Sequence, residues 1–296
     1  MSNLILNQNG MNTVSQESRE GLNVLTQTQA HPSRSSKYSV VTSMNVIKMF
    51  EDAGFTWKLV RQEKCRGHYA NYGTHLIALE HPEIRFSDEA LNKEIIPRLF
   101  FSNSYHGRTR LKLDLGIFRT YCENGLFIGT MLETFSKKHI GITPDKMPQV
   151  VLEMKRVFAE KVVPLVTTLM EKEMTESQQL AFAKAVLAER LSDNDSYIGG
   201  EHEKLLIGHR DEDKGNSTWK VLNRVQENLG LNFRSSPVEI QYRYQSQDEN
   251  GLSIIKERKV SKLSNIQQVT YLNKYLFDKI MEMNQTTSQV SEKIAA

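Results

Sequence analysis

The clearest pattern in the chain is a strict alternation over Leu111–Arg119. Leu111, Leu113, Leu115 and Ile117 fall on one face of an extended segment, and Arg108, Arg110, Lys112 and Asp114 on the other. The stretch from Glu94 to Ser102 reads as its partner strand, and the polar turn through Gly107 joins the two as a hairpin. Pro97 marks an edge position or a bulge, because proline has no N–H to offer a ladder.

The same reading extends in both directions. Residues 1 to 37 are rich in Asn, Gln, Ser and Thr without a sustained period, which predicts a disordered arm. Ser43 is placed as the N-cap of a short helix carrying Val46, Ile47 and Phe50, ended by Gly54. Phe55 to Leu59 and Thr74 to Leu79 read as strands around a polar turn from Gly67 to Gly73, and His81-Pro82 stops the second. Asn124-Gly125 reads as a tight turn.

Beyond Gly129 the period becomes helical. Val151, Met154, Val157, Phe158, Val162, Leu165 and Leu169 form one stripe, which Pro164 must kink or split. Thr175-Glu176-Ser177-Gln178 has the form of a capping box and opens a helix through Leu187 and Leu191. Residues 192 to 216 read as a charged loop with Gly199-Gly200 as a flexible joint. Thr218 to Leu229 is a helix ended by Gly230, with Trp219, Leu222 and Val225 inward. The polar connection 232 to 256 has room for one hairpin, and Lys262 to Met283 forms the last helix. The predicted class is α+β: a mainly antiparallel sheet in 38–130, a helical region in 131–283 packed with it as one compact unit, and a flexible tail in 284–296.

Composition changes this picture little. Hydrophobic residues make up 39% and charged residues 25%, as in an ordinary soluble protein, and no stretch approaches a membrane span. No signal peptide is expected, so the expected compartment is the cytoplasm and the two cysteines, Cys65 and Cys122, are read as reduced thiols. A net charge of +3 does not by itself imply nucleic acid. The positive charge is local, around the hairpin and around Lys58, Arg61, Lys64 and Arg66.

That locality defines the candidate site. Arg98, Arg108, Arg110, Lys112 and Arg119 are interleaved with Tyr105 and Phe118, a composition suited to phosphates and stacked bases of a single strand. Two other constellations carry less. Asp193, Asp195, Glu201, His202, Glu203, His209, Asp211, Glu212 and Asp213 could supply metal ligands, but no pair among them has a diagnostic spacing. Cys122 with His106 or His139 could be written as nucleophile and base, yet its apolar flanks favour a structural thiol. No catalytic residue, metal or cofactor is therefore expected.

Several short stretches taken together resemble a phage and plasmid protein family, domain of unknown function 932. They are Asn45-Val46-Ile47 to Ala53-Gly54-Phe55, Asn103-Ser104 with Gly107, and Gly116-Ile117-Phe118-Arg119 with Cys122 and Asn124-Gly125-Leu126. Arg210-Asp211-Glu212-Asp213-Lys214 with Trp219, and Arg224-Val225-Gln226-Glu227-Asn228, complete the set. His106 departs from the pattern, since relatives often carry an acidic residue there. The resemblance implies a mobile-element protein in a bacterial host cell. The expected function is non-enzymatic DNA binding, single strands favoured, in replication or recombination, by a homo-oligomer that does not engage membranes. Inhibition of a host protein, as an anti-defence or host-takeover factor, and metal-dependent nuclease activity are the alternatives.

Overall fold

A computed structural model of the chain describes residues 3–5, 23–35, 40–63, 65–85, 95–109, 111–119, 124–130, 147–192, 196–231, 236–263 and 265–295. The fold is α+β, with strands concentrated in the first half and helices in the second. It divides into two compact units, one of residues 1–121, 127–163 and 264–267, the other of 122–126, 164–263 and 268–296.

The first unit is built on an antiparallel meander. Its strands are β1 (Asn3–Ile5), β2 (Thr56–Gln62), β3 (His75–Glu80), β4 (Ile95–Asn103), β5 (Lys112–Arg119) and β6 (Asn124–Thr130), in that spatial order. Asn124 and Gly125, expected as a turn, open β6. The leucine alternation does set the core face of β5, where Leu113, Leu115 and Ile117 are all buried. The opposite face is not uniformly solvated, because Asp114 is buried beside exposed Lys112. Pro97 lies beyond the last β3–β4 pair, Leu79 with Leu99, and stands opposite Ile117 of β5.

Helix α1 (Ser43–Asp52) packs Val46, Ile47 and Phe50 inward. Its N-cap is Thr42 rather than Ser43. The Ser43 hydroxyl is turned into the interior, 2.6 Å from His75 Nε2, and accepts from Asn103 Nδ2 at 3.0 Å. The helix ends as expected at Gly54, whose φ of +90° favours glycine. Beside it His81 donates from Nε2 to the Ala53 carbonyl at 3.0 Å and accepts the Glu83 N–H on Nδ1 at 3.2 Å. A Cβ at position 54 would come within 3.0 Å of that same Nε2.

Residues 23–35 correct the expectation of a disordered arm. Val24 and Leu25 are fully buried, and the His31 N–H donates to the Tyr105 carbonyl at 2.9 Å. Two adjacent apolar side chains give no period, yet they suffice to anchor a segment. Further along, α2 (Met147–Val157) passes into a π-helical turn, Phe158–Val162, just before Pro164 and α3 (Val163–Glu171). The wider turn accommodates a proline that has no N–H to donate.

The second unit carries α4 (Glu176–Arg190), α5 (Thr218–Asn228) and α6 (Ile266–Ala295). Thr175 and Gln178 form the expected reciprocal capping box. Phe182, Val186, Leu187, Trp219, Leu222, Val225, Leu272 and Leu276 are buried. Helix α6 continues to Ala295, past the end at Met283 that the pattern predicts. Here, too, is a second sheet, ordered β7 (Tyr197–Gly200), β8 (Gln241–Gln247), β9 (Ser253–Lys259). Gly199-Gly200, expected as a flexible joint, is strand. A Cβ on Gly200 would meet the Gln241 carbonyl at 2.9 Å, so glycine is needed there for close strand approach.

Candidate functional sites

His75 pairs with Gln62 on one side and with Asn103 on the other. The segments that follow β2, precede β3 and follow β4 therefore emerge at one end of the sheet. They are stitched together there. Glu63 N–H donates to the Thr74 carbonyl at 2.7 Å, and the Tyr105 and His106 N–H groups both donate to the Tyr72 carbonyl, at 3.1 and 3.0 Å. Ser104 closes the hairpin loop, donating from Oγ to the Thr109 carbonyl at 2.8 Å and accepting its N–H at 3.0 Å. Gly107, at φ +75°, makes the turn.

This convergence gathers an aromatic cluster. The His31 and Tyr69 rings stack at 4.2 Å between centroids, His68 lies 4.2 Å from Tyr69, and the Arg108 guanidinium sits 5.5 Å from the Tyr69 ring centre. Beneath it the buried His106 ring presents Nε2 at 3.6 Å from a Glu63 carboxylate oxygen, and Cys65, a free half-buried thiol, completes the group. One donor atom from each of Glu63, Cys65 and His106 lies within 4.8 Å of the others. The facing His106 ring draws the Glu63 carboxyl below its usual range, against desolvation and with help from Thr74. Burial pushes the Cys65 thiol up, and the Glu63 charge adds to that while Arg108 opposes it.

The residues expected to bind nucleic acid divide. Arg108 and Lys112 are exposed. Arg98 is not a surface cation. It is 4% exposed and donates from Nε to Glu80 at 2.6 Å. Tyr105 is likewise interior, its hydroxyl accepting the Ser43 N–H at 2.7 Å and its ring stacked on His75, so it offers no base-stacking face. Arg110, and the side chains of Phe118 and Arg119, lie outside the described residues, as do Cys122, His139, Asp193 and Asp195.

Described residues of the acidic loop are engaged in ion pairs. Glu201 pairs with Lys204, Asp211 with Lys214, and Arg210 holds Glu227 through two bonds, at 2.7 and 2.9 Å, with Asp213 at 3.4 Å.

The second sheet supplies a surface that the sequence reading missed. Register sets Tyr197 opposite Tyr244, Tyr244 opposite Lys256 and Tyr242 opposite Arg258, so three tyrosines and two cations share one face. Tyr242 lies 6.3 Å from Tyr197 and 6.0 Å from Tyr244 between ring centres. Tyr242 and Tyr244 help to line a groove of about 440 Å³, together with Arg190, Ser196, Arg258 and Lys259. Lys256 and Arg258 are exposed, and Tyr197 and Tyr244 are half-buried. The alternation Tyr242-Arg243-Tyr244 was the available signal.

An α+β protein of two antiparallel sheets, without a recognisable catalytic constellation among its described residues, is the class these features define. The chain belongs to the family described as Domain of unknown function (DUF932), whose model matches residues 30–251. It is similar to UPF0380 protein YfjQ of Escherichia coli (strain K12), 26% identical over 213 residues that cover 70% of this chain and 74% of the relative. UPF0380 protein YafZ of the same strain is 25% identical over 213 residues, with the same coverage. No solved structure matches the chain. Among the described residues, no helix is long and apolar enough to cross a membrane.

Proposed function

We propose that the chain binds single-stranded DNA without catalysis, in replication or recombination of a mobile element of a bacterial cell, as a homo-oligomer. The observation that carries the reading is the tyrosine and cation face of the second sheet. Alternate residues along a strand stand about 7 Å apart, comparable to the spacing of nucleotides in an extended strand. Tyr244 and Tyr197 give half-exposed rings for bases, and Lys256 and Arg258 stand opposite the tyrosines where phosphates would run. Arg108 and Lys112 provide a second, smaller basic surface on the first unit.

Fluorescence anisotropy with a labelled oligonucleotide at several salt concentrations tests this. Lys256→Ala with Arg258→Ala should weaken binding and flatten the salt slope by about 1.4, at about 0.7 per lost phosphate contact. Tyr244→Ala should cost about 1–3 kcal/mol of binding. Wild-type protein with no salt-dependent affinity for any DNA would overturn the proposal. A specific observation would then favour a host-protein partner: β9 is an edge strand flanked by Leu252 and bearing Ile255, 65% and 64% exposed.

A further inference from the structure

We infer that Glu63, Cys65 and His106 form a binding site for a single zinc ion at the end of the first sheet. Three side chains from two separate loops bring a carboxylate oxygen, a thiol sulfur and an imidazole nitrogen within 4.8 Å of one another. Carboxylate, thiolate and imidazole are the ligand types zinc takes, and three protein donors leave a fourth position for water.

The His106 ring is the observation that points to a ligand. Its side chain is fully buried, and Nε2 has no hydrogen-bond partner, although it is aimed at Glu63 and Cys65. An orphaned buried nitrogen is a cost that folded proteins ordinarily avoid. The Glu63 carboxylate oxygen is 3.6 Å away. That is too long for a hydrogen bond, but it is close to the separation of two ligands of one ion, since donors about 2.0–2.1 Å from a tetrahedral zinc stand about 3.3 Å apart. Closing the site needs a movement of tenths of an ångström along that edge.

The surroundings hold the donors in place. Glu63 is tied to Thr74 through its own N–H, and its carboxylate accepts the Thr74 N–H at 3.3 Å. Cys65 is fixed by its N–H to the Glu63 carbonyl at 3.1 Å. Gly73 leaves the space the sulfur occupies, since a Cβ there would lie 2.8 Å from Sγ. His106 Nδ1 accepts the Arg108 N–H at 3.2 Å. Ligation through Nε2 places the ring proton on Nδ1 and ends that contact, a loss that three-point chelation outweighs. Glu63 and Cys65 are half-buried, which leaves an entry path from solvent.

The test uses full-length protein stripped with a chelator and titrated with Zn²⁺ by calorimetry, and with Co²⁺ followed by absorption. Wild type should bind one Zn²⁺ per chain and show thiolate-to-cobalt charge transfer. Cys65→Ser, a change at a half-exposed position, should abolish the charge-transfer band and weaken Zn²⁺ about a hundredfold, whereas Cys122→Ser should alter neither. Glu63→Gln should weaken Zn²⁺ while keeping the band, and Zn²⁺ should raise the melting temperature of wild type but not of Cys65→Ser. The inference is overturned if wild type binds no Zn²⁺ at micromolar concentration, or if Cys65→Ser binds as tightly as wild type. DNA affinity need not change with any of these, so this outcome and that of the DNA-binding test are separable.

Discussion

Arg98 offers the sharpest test of how the fold assigns its cations. The guanidinium meets Glu80 through Nε at 2.6 Å and Nη2 at 2.5 Å, with Arg98 4% and Glu80 5% exposed. Burial lowers the Arg98 pKa, and the Glu80 charge opposes that shift. At an effective dielectric of about 20, two unit charges about 4 Å apart attract by about 4 kcal/mol, which is comparable to the cost of desolvating them. The net value of the pair is therefore small, but the loss of one partner is not. Arg98→Met should leave the buried Glu80 carboxylate without its guanidinium and cost about 3–5 kcal/mol, while Arg98→Met with Glu80→Met should return to within about 1 kcal/mol of wild type. Urea unfolding followed by circular dichroism measures both. An Arg98→Met protein with an unchanged midpoint and weaker DNA binding would return Arg98 to the surface and refute this reasoning. Simple additivity of the two substitutions would refute it equally.

Two further expectations concern stability. His75 is fully buried, and burial lowers its pKa to about 4, with the Gly73 carbonyl opposing. An unfolded His75 takes up its proton near pH 6.5, so stability is constant above that value and falls as pH drops towards 4. The loss approaches about 1.4 kcal/mol per pH unit and about 3 kcal/mol in all. Denaturant unfolding across that range should show a shallower fall for His75→Gln, and identical falls would contradict the assignment. At the N-terminus, Leu25→Ala should cost about 2–5 kcal/mol, and deletion of residues 1–37, which also removes Val24 and His31, should lower the melting temperature further. A truncated protein that melts like wild type would show that the segment does not anchor.

Much of the fold was legible because its signals are local. The alternation of Leu113, Leu115 and Ile117, the left-handed Gly54 and Gly230, and the Thr175–Gln178 box each depend on neighbours in sequence, and each appears where expected. Arg98 was misread for the opposite reason. A cation at an alternate strand position looks the same whether it faces water or a buried carboxylate, and Glu80 lies 18 residues away, just past the last described β3–β4 pair. Tyr105 fails similarly, since its interior partner, Ser43, is 62 residues distant. The Glu63, Cys65 and His106 grouping has no sequence spacing to recognise, because strand register, and not proximity in the chain, brings the two loops together. The face of Tyr197, Tyr242 and Tyr244 needed the pairing of β7 with β8, and a charged stretch with two glycines concealed β7.

The contact between Gly54 and His81 reaches beyond this one chain. The imidazole serves the helix end and the following turn at once, one nitrogen giving a proton and the other receiving one, and a methyl group on residue 54 would crowd it at 3.0 Å. Position 54 is therefore the more tightly constrained of the two. Across the family a side chain at 54 should be rare, since it meets both the left-handed backbone and the imidazole, and where one occurs residue 81 should be shorter. A homologue with a larger residue at 54 should end this helix by different means.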